Sequence, residues 1–388
     1  MIPSAPHPSS KWSLDVLVYP ELGMDPVSYF LAFSRIAPVQ VAWWGHPDTT
    51  GIPTIDYFVS SDIEVPGAEA HYSEQLFKLR GLGTHFTRPA APEYSADAAA
   101  ARLRARLRCH GADAVLSAAE ESSLAGGAVG GAGAHSLSGG ATPQLQPIQP
   151  RVYLCVQSLF KLLPRFDRAI TAILRRDPHA LVVLVQPQKR AAPMLKLVRE
   201  RLRRALVEAG LGREVRLSDA FAPCSGDAAA DASLSDAEAA AAVPPIGRVL
   251  FLPRMQTEVL LEVMKGAAVV LDSFPFGGGV TSLQTFAVGT PIVTMPSDML
   301  AGRLTLAMYR SMGMGNNSGV VTSSIEEYVD AAIRIASTSV GDRMRREIKA
   351  RSGVLFEDSG AVKQWEEMLC NVTLTRLRAA FPRGASGS

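Results

Sequence analysis

The sequence predicts an α/β fold in which parallel sheets are covered by helices on both faces. Two observations carry this. Short apolar runs of the kind that form fully buried strands alternate with longer stretches whose apolar residues recur at helical spacing. One such run, Val269-Val270-Leu271, passes straight into a glycine-rich loop and then a helical pattern, the order found in doubly wound folds.

Taken in order, residues 14–19 read as a strand. Asp25-Pro26 then starts a helix, with Asp as N-cap and Pro at the first helical position. That helix carries Tyr29, Phe30, Ala32 and Phe33 and ends at Ala37-Pro38. Residues 39–44 form a second strand that opens into a polar turn over 45–51. Farther on, strands are predicted over 152–156, 180–186, 248–252, 268–271 and 291–295. Helices are predicted over 166–175, 194–209, 258–267, 282–288, 301–312 and 325–336. The alternation implies right-handed crossovers and a parallel sheet.

Two stretches break the pattern. Residues 94–150 are dominated by Ala, Gly and Ser, with GGAVGGAGAHSLSGG at the centre. Too little large apolar surface is present there to offset ordering entropy, so a disordered insertion is expected, with a short helix possible over 98–108. A second Ala/Asp/Ser-rich insertion runs over about 219–245. The expected organisation is a first lobe within 1–93, the insertion at 94–150, and a second lobe over 151–388.

The 388 residues are 47% hydrophobic and 20% charged, which suits a globular chain of two or three units. Lys+Arg 39 against Asp+Glu 37 is near balance, and no basic block interleaves with aromatics, so a nucleic-acid partner is not expected. The basic run 196–204 carries Leu and Val at helical spacing and reads as a solvated helix face. Cys109, Cys155, Cys224 and Cys370 share no CxxC spacing and suggest neither a disulfide framework nor a zinc site. No apolar run reaches bilayer-spanning length and the first residues lack a signal-peptide pattern, so a cytoplasmic or nucleocytoplasmic protein without a membrane partner is expected. The sequons at Asn316 and Asn371 are then chance matches.

The chemistry concentrates in 269–284, VVLDSFPFGGGVTSLQ. Gly277, Gly278 and Gly279 leave backbone N–H groups unobstructed, and a helix beginning near Val280, Thr281 and Ser282 adds free donors and partial positive charge. Such a loop at the carboxyl end of a parallel strand suits a pyrophosphate. A plain chain reversal is the other reading, about equally weighted on these residues alone. Gln284, one turn into the helix, is placed to reach a ribose hydroxyl. Lys161, just past the strand 152–156 in Gln157-Ser158-Leu159-Phe160-Lys161, is a point charge able to balance a diphosphate leaving group. His46, Thr49 and Thr50 follow the strand 39–44; they either line a cleft or close its turn. Arg303 and Asp25 read as structural, Asp25 as a helix cap, and Glu21 is left open.

The segment 250–294, LFLPRMQTEVLLEVMKGAAVVLDSFPFGGGVTSLQTFAVGTPIVT, resembles the donor-binding lobe of O-GlcNAc-transferase-like glycosyltransferases. Further blocks agree in the same order: residues 17–62, HYSEQLFKLRGLG, YLCVQSLFKLLPRFD, and AGRLTLAMYRSMGM with LFEDSGAVKQWEEML. The resemblance covers nearly everything outside the two insertions. It implies a GT-B-type fold of two facing Rossmann-like lobes, the first incomplete at its front. It also implies a UDP-sugar donor with no metal or other cofactor, and protein Ser or Thr hydroxyls as acceptors. His46 and Lys161 are the catalytic candidates it implies. Donor contacts fall to Thr49, Thr50, Gln157, Ser158, Gly277, Gly278, Gly279, Val280, Thr281, Ser282 and Gln284. Better-known members have His-Thr-Thr where Gly279-Val280-Thr281 stand and an acid where Gln284 stands; an acid accepts two hydrogen bonds from a ribose diol, whereas Gln offers one acceptor and a donor. A catalytically impaired UDP-sugar-binding or protein-interaction module is therefore the alternative. A Rossmann dehydrogenase is disfavoured, since no GxGxxG follows an early strand.

Overall fold

The computed structural model describes residues 14–107, 150–186, 192–213, 215–219, 246–315 and 318–380. Strand β1 (Val16–Tyr19), helix α1 (Pro26–Leu31), β2 (Val39–Trp43), β3 (Tyr57–Ser61) and β4 (Gln75–Leu79) make the first unit. Its four strands lie in sequence order and every pair is parallel. Asp25 caps α1 by accepting from the Ser28 amide at 2.8 Å, with Pro26 at the first helical position, as the sequence indicates. The sequence pattern shows two or three strands here, not four. β4 alternates exposed Gln75 and Lys78 with apolar neighbours and β3 ends in two serines, so neither presents an apolar run.

Helix α2 (Ala96–Leu107) forms where the sequence allows a short helix over 98–108, so the ordered part of that stretch reaches at least residue 107. Ala99, Leu103 and Leu107, spaced i, i+4 and i+8, form one buried stripe on a run of good helix formers. Residues 108–149 of that segment, and 220–245 of the second insertion, lie outside the described residues.

The second unit is a six-stranded parallel sheet. In chain order it contains β5 (Arg151–Cys155), α3 (Pro164–Arg176), β6 (Ala180–Val185), α4 (Ala192–Glu208), β7 (Val215–Asp219) and β8 (Ile246–Leu252). Then come α5 (Thr257–Gly266), β9 (Val269–Leu271), α6 (Val280–Ala287), β10 (Ile292–Val293), α7 (Leu304–Ser311), α8 (Ile325–Ser337) and α9 (Ser339–Arg351). Helix α2 packs on α5, where Gly266 permits the approach: a Cβ there would sit 2.5 Å from the Ala99 carbonyl oxygen. Strands β5 and β6 are buried on both faces, which explains their unbroken apolar runs.

Strand order is β10-β9-β5-β6-β8-β7. The chain therefore builds outward from β5 on one side through β6, and from β9 on the other. The order reverses between β5 and β9, and in such sheets the crevice outside the carboxyl ends at that point is where ligands bind.

Helix α10 (Ser359–Ala380) leaves the second unit and returns to the first. Its Met368 and Val372 are buried with Val39, Val41, Val59 and Leu79, and the Trp365 indole N–H donates to the Gly83 carbonyl at 2.9 Å. By packing, then, the span 151–388 does not stay within one lobe. Among the described residues no helix is long and apolar enough to cross a membrane.

Candidate functional site

Two loops meet at the reversal point because β5 and β9 are parallel neighbours, with Tyr153 opposite Val269. After β5 the chain turns through Gln157 and Ser158 into one 3-10 turn, Leu159–Lys161. After β9 it runs through Asp272 and a cis Phe274-Pro275 bond to the three glycines and α6.

Lys161 Nζ donates to the Gly277 carbonyl at 2.7 Å and to Gln157 Oε1 at 3.4 Å, and lies 3.9 Å from the Phe276 ring centroid. Burial pushes the Lys161 ammonium below its ordinary pKa, and the charge of Asp272 opposes that shift. The Gln157 side-chain amide donates to Thr281 Oγ1 at 2.9 Å, joining the lysine loop to the start of α6. Ser282 Oγ sits 2.9 Å from Thr305 Oγ1. Ser158 is exposed at the mouth of the same turn, and Gln284 is half-buried one turn into α6. The structure thus brings Lys161, Gln157, Gly277, Gly278, Gly279, Thr281 and Ser282 together, with Val280 exposed beside them.

Two of the loop's amides bond within the chain. Gly277 N–H donates to the Ala301 carbonyl at 2.9 Å, and Gly278 N–H to Asp272 Oδ1 at 2.7 Å. Neither is free for a phosphate. The donors without an acceptor among the described residues are the amides of Gly279, Val280 and Thr281, the open N-terminus of α6. The glycines are needed for closeness. A Cβ at Gly278 would lie 2.4 Å from Ser282 Oγ and 2.5 Å from Gln157 Nε2; one at Gly277 would lie 2.8 Å from Asp272 Oδ2.

On the first unit, Thr49 and Thr50 also bond within the chain. Thr49 Oγ1 donates to Glu74 Oε2 at 2.7 Å, and the Thr50 amide to Glu74 Oε1 at 2.8 Å, joined there by the Thr50 hydroxyl. Both threonines close the turn around a buried carboxylate. Burial pushes the Glu74 pKa up, but the hydrogen bonds from Thr50 and Thr49 outweigh it and hold the group below the usual carboxylate range. His46 is half-buried against Gly23, whose φ of +104° and missing side chain admit the ring; a Cβ would meet His46 Cδ2 at 2.3 Å. No hydrogen bond among the described residues joins His46 to Lys161 or the glycine loop.

The units touch at this edge. Arg303 Nε donates to the Ile63 carbonyl at 2.7 Å and Nη1 to the Ser297 carbonyl at 2.9 Å, which is the structural role expected of it. The Trp44 ring lies 4.0 Å from where a Cβ of Gly279 would be. Cys155 is a core residue, its thiol pushed up to about 12 by burial. Sequence reasoning passes over Asp272 and Glu74. An acid directly after an apolar strand and before a glycine run is the available signal for Asp272; Glu74 offers none. Among the described residues no group of three or more His, Cys, Asp or Glu is arranged to hold a metal.

Two parallel α/β units meeting at the carboxyl ends of their strands, with a glycine loop at the order reversal, define the GT-B glycosyltransferase fold. An O-GlcNAc transferase from Thermobaculum terrenum shares it, with TM-score 0.61 and 21% identity over 95% of this chain and 54% of that one. Within that class the chain is similar in sequence to curated relatives of the SPINDLY type. It is 26% identical over 305 residues to the probable UDP-N-acetylglucosamine–peptide N-acetylglucosaminyltransferase SPINDLY of Solanum lycopersicum, covering 78% of this chain and 24% of that protein. A 64-residue stretch is 39% identical to the UDP-glucose:protein N-beta-glucosyltransferase of Actinobacillus pleuropneumoniae, 16% of this chain. The chain spans about a quarter of the length of the SPINDLY relatives it matches. No protein-family model matches it.

Proposed function

We propose that the chain transfers N-acetylglucosamine, or another hexose, from a UDP-sugar to Ser or Thr hydroxyls of proteins, in the cytoplasm or nucleus. The single observation that supports this most is the Lys161 ammonium, seated 2.7 Å from the Gly277 carbonyl beside the open N-terminus of α6 at the sheet's order reversal. A cation and unpaired amides converge where a diphosphate fits such a sheet.

In the transfer, the acceptor hydroxyl oxygen bonds to the anomeric carbon, the bond from that carbon to the diphosphate oxygen breaks, UDP departs with the electron pair, and the hydroxyl proton passes to the departing diphosphate. Lys161 moves from the Gly277 carbonyl to the developing phosphate charge, with the Gly279, Val280 and Thr281 amides beside it. Gln284 takes a ribose hydroxyl. His46 lines the acceptor side. No metal or other cofactor enters the step. The relatives' activities on UDP-N-acetylglucosamine with peptide, and on UDP-glucose with protein, support a UDP-sugar donor and a protein acceptor, although the second joins its sugar to nitrogen.

A second reading, a UDP-sugar-binding or protein-interaction module without turnover, is favoured by Gln284 and by the internal use of the Gly277 and Gly278 amides. UDP release from UDP-N-acetylglucosamine, with and without a Ser/Thr peptide, separates the two. Release should fall by about 10²–10³-fold in Lys161→Ala. Wild-type release no higher than that control favours the module.

A further inference from the structure

We infer that Asp272 is the positioning residue of the donor site: its buried carboxylate fixes the glycine loop through Gly278 and keeps the neighbouring Lys161 side chain charged. Its purpose rests on the donor site proposed above; its geometry does not.

Asp272 is 1% exposed, at the carboxyl end of β9. Its backbone is pinned on both sides: its N–H donates to the Val293 carbonyl at 3.0 Å, and its own carbonyl accepts from the Tyr328 hydroxyl at 2.8 Å. Oδ1 accepts the Gly278 amide at 2.7 Å and Oδ2 accepts the Thr294 hydroxyl at 2.9 Å. Gly277 packs so closely on Oδ2 that no side chain fits between. A loop bound this way has one shape, with Gly279 and the first turn of α6 left facing outward.

Neutral donors, the Thr305 hydroxyl among them, satisfy the oxygens of the carboxylate without neutralising its charge, and a buried charge needs a counterpart. Four other titratable groups face it. Cys155 comes from β5, Tyr309 from α7, Tyr328 from α8, and Lys161 from the turn after β5. The first three are acids that keep their protons when buried. Lys161 is the cation of the set, and it bonds to Gly277, the residue packed on the carboxylate. The negative charge of Asp272 therefore works against the burial that favours the neutral amine. A charged amine is what a diphosphate requires. The carboxylate touches no donor atom in this scheme; it acts through the loop and the lysine.

Asp272→Asn separates charge from shape. The amide oxygen still accepts from Gly278, and the amide nitrogen can donate to Thr294 Oγ1, so the loop keeps its bonds while the charge goes. The measurement is the pH dependence of Lys161 reductive methylation in the full chain, mapped by mass spectrometry and needing no nucleotide. The midpoint should fall by about one pH unit or more in Asp272→Asn. UDP affinity should then weaken about 10-fold on the alkaline side and little on the acid side. An unchanged midpoint in a folded Asp272→Asn overturns the inference, even if UDP binds. Should Asp272→Asn fail to fold, Asp272→Ser removes the charge from a smaller side chain; a fall in the same direction is expected, and no fall overturns the inference. If the wild type does not bind UDP, the donor-site proposal falls while the lysine titration still decides the role of Asp272.

Discussion

Glu74 gathers the Thr49 hydroxyl and the Thr50 amide and hydroxyl onto two oxygens that are 6% exposed. Its folded pKa lies below the unfolded one, so its ionisation stabilises the fold fully above the ordinary carboxylate pKa of ~4.3. That contribution disappears as pH falls through the lower folded value. Glu74→Gln should therefore cost about 1–3 kcal/mol near neutrality, with the gap to wild type closing below pH ~4.3. Denaturant melts at several pH values check this; a gap that stays constant into acid contradicts it. Lys161 was legible in the sequence because it follows an apolar strand inside a recognisable block. The role of Thr49 and Thr50 was not, because their partner sits some two dozen residues away on a turn with no pattern of its own. The internal bonds of the Gly277 and Gly278 amides were not legible for a related reason: a glycine run shows that side chains are absent, not where its amides point.

Helix-scale packing gives two expectations. Met368 on α10 is fully buried against the first sheet, so Met368→Ala should cost about 2–5 kcal/mol in denaturant unfolding. In Gly266→Ala, the new Cβ meets the Ala99 carbonyl at 2.5 Å, and α2 must shift. Amide exchange over 96–107 should speed up while exchange in β5 and β6 stays slow; equal protection of α2 in both proteins would contradict this. Strands β5, β6, β8 and β9 were legible because burial on both faces leaves unbroken apolar runs. β3 and β4 were not, since serines and alternating polar residues hide them. α2 was legible as a short helix over 98–108, because its Ala and Arg are good helix formers and its apolar stripe repeats at a helical interval.

For the molecule as a whole, the alternation of strands and helices announced a doubly wound sheet, but not which strands would be neighbours. The reversal between β5 and β9 appears only once long-range pairing is known, and it is what sets Lys161 beside the glycine loop. Contact between the units depends in part on Arg303, which binds the Ile63 and Ser297 carbonyls. Arg303→Ala should cost about 1–3 kcal/mol and quicken amide exchange around residues 61–64 without disturbing β6. Unchanged exchange there would show that the Trp44 approach to Gly279 holds the edge alone. The path of α10 has a mechanical result. Because the polypeptide passes from the first sheet to the second and then comes back, two separate covalent straps join the halves. Any rotation of one half on the other must carry both straps with it. Cutting the chain at residue 150 would not yield two autonomous pieces: the front piece would lose its cover, and the rear piece would carry a stranded greasy tail.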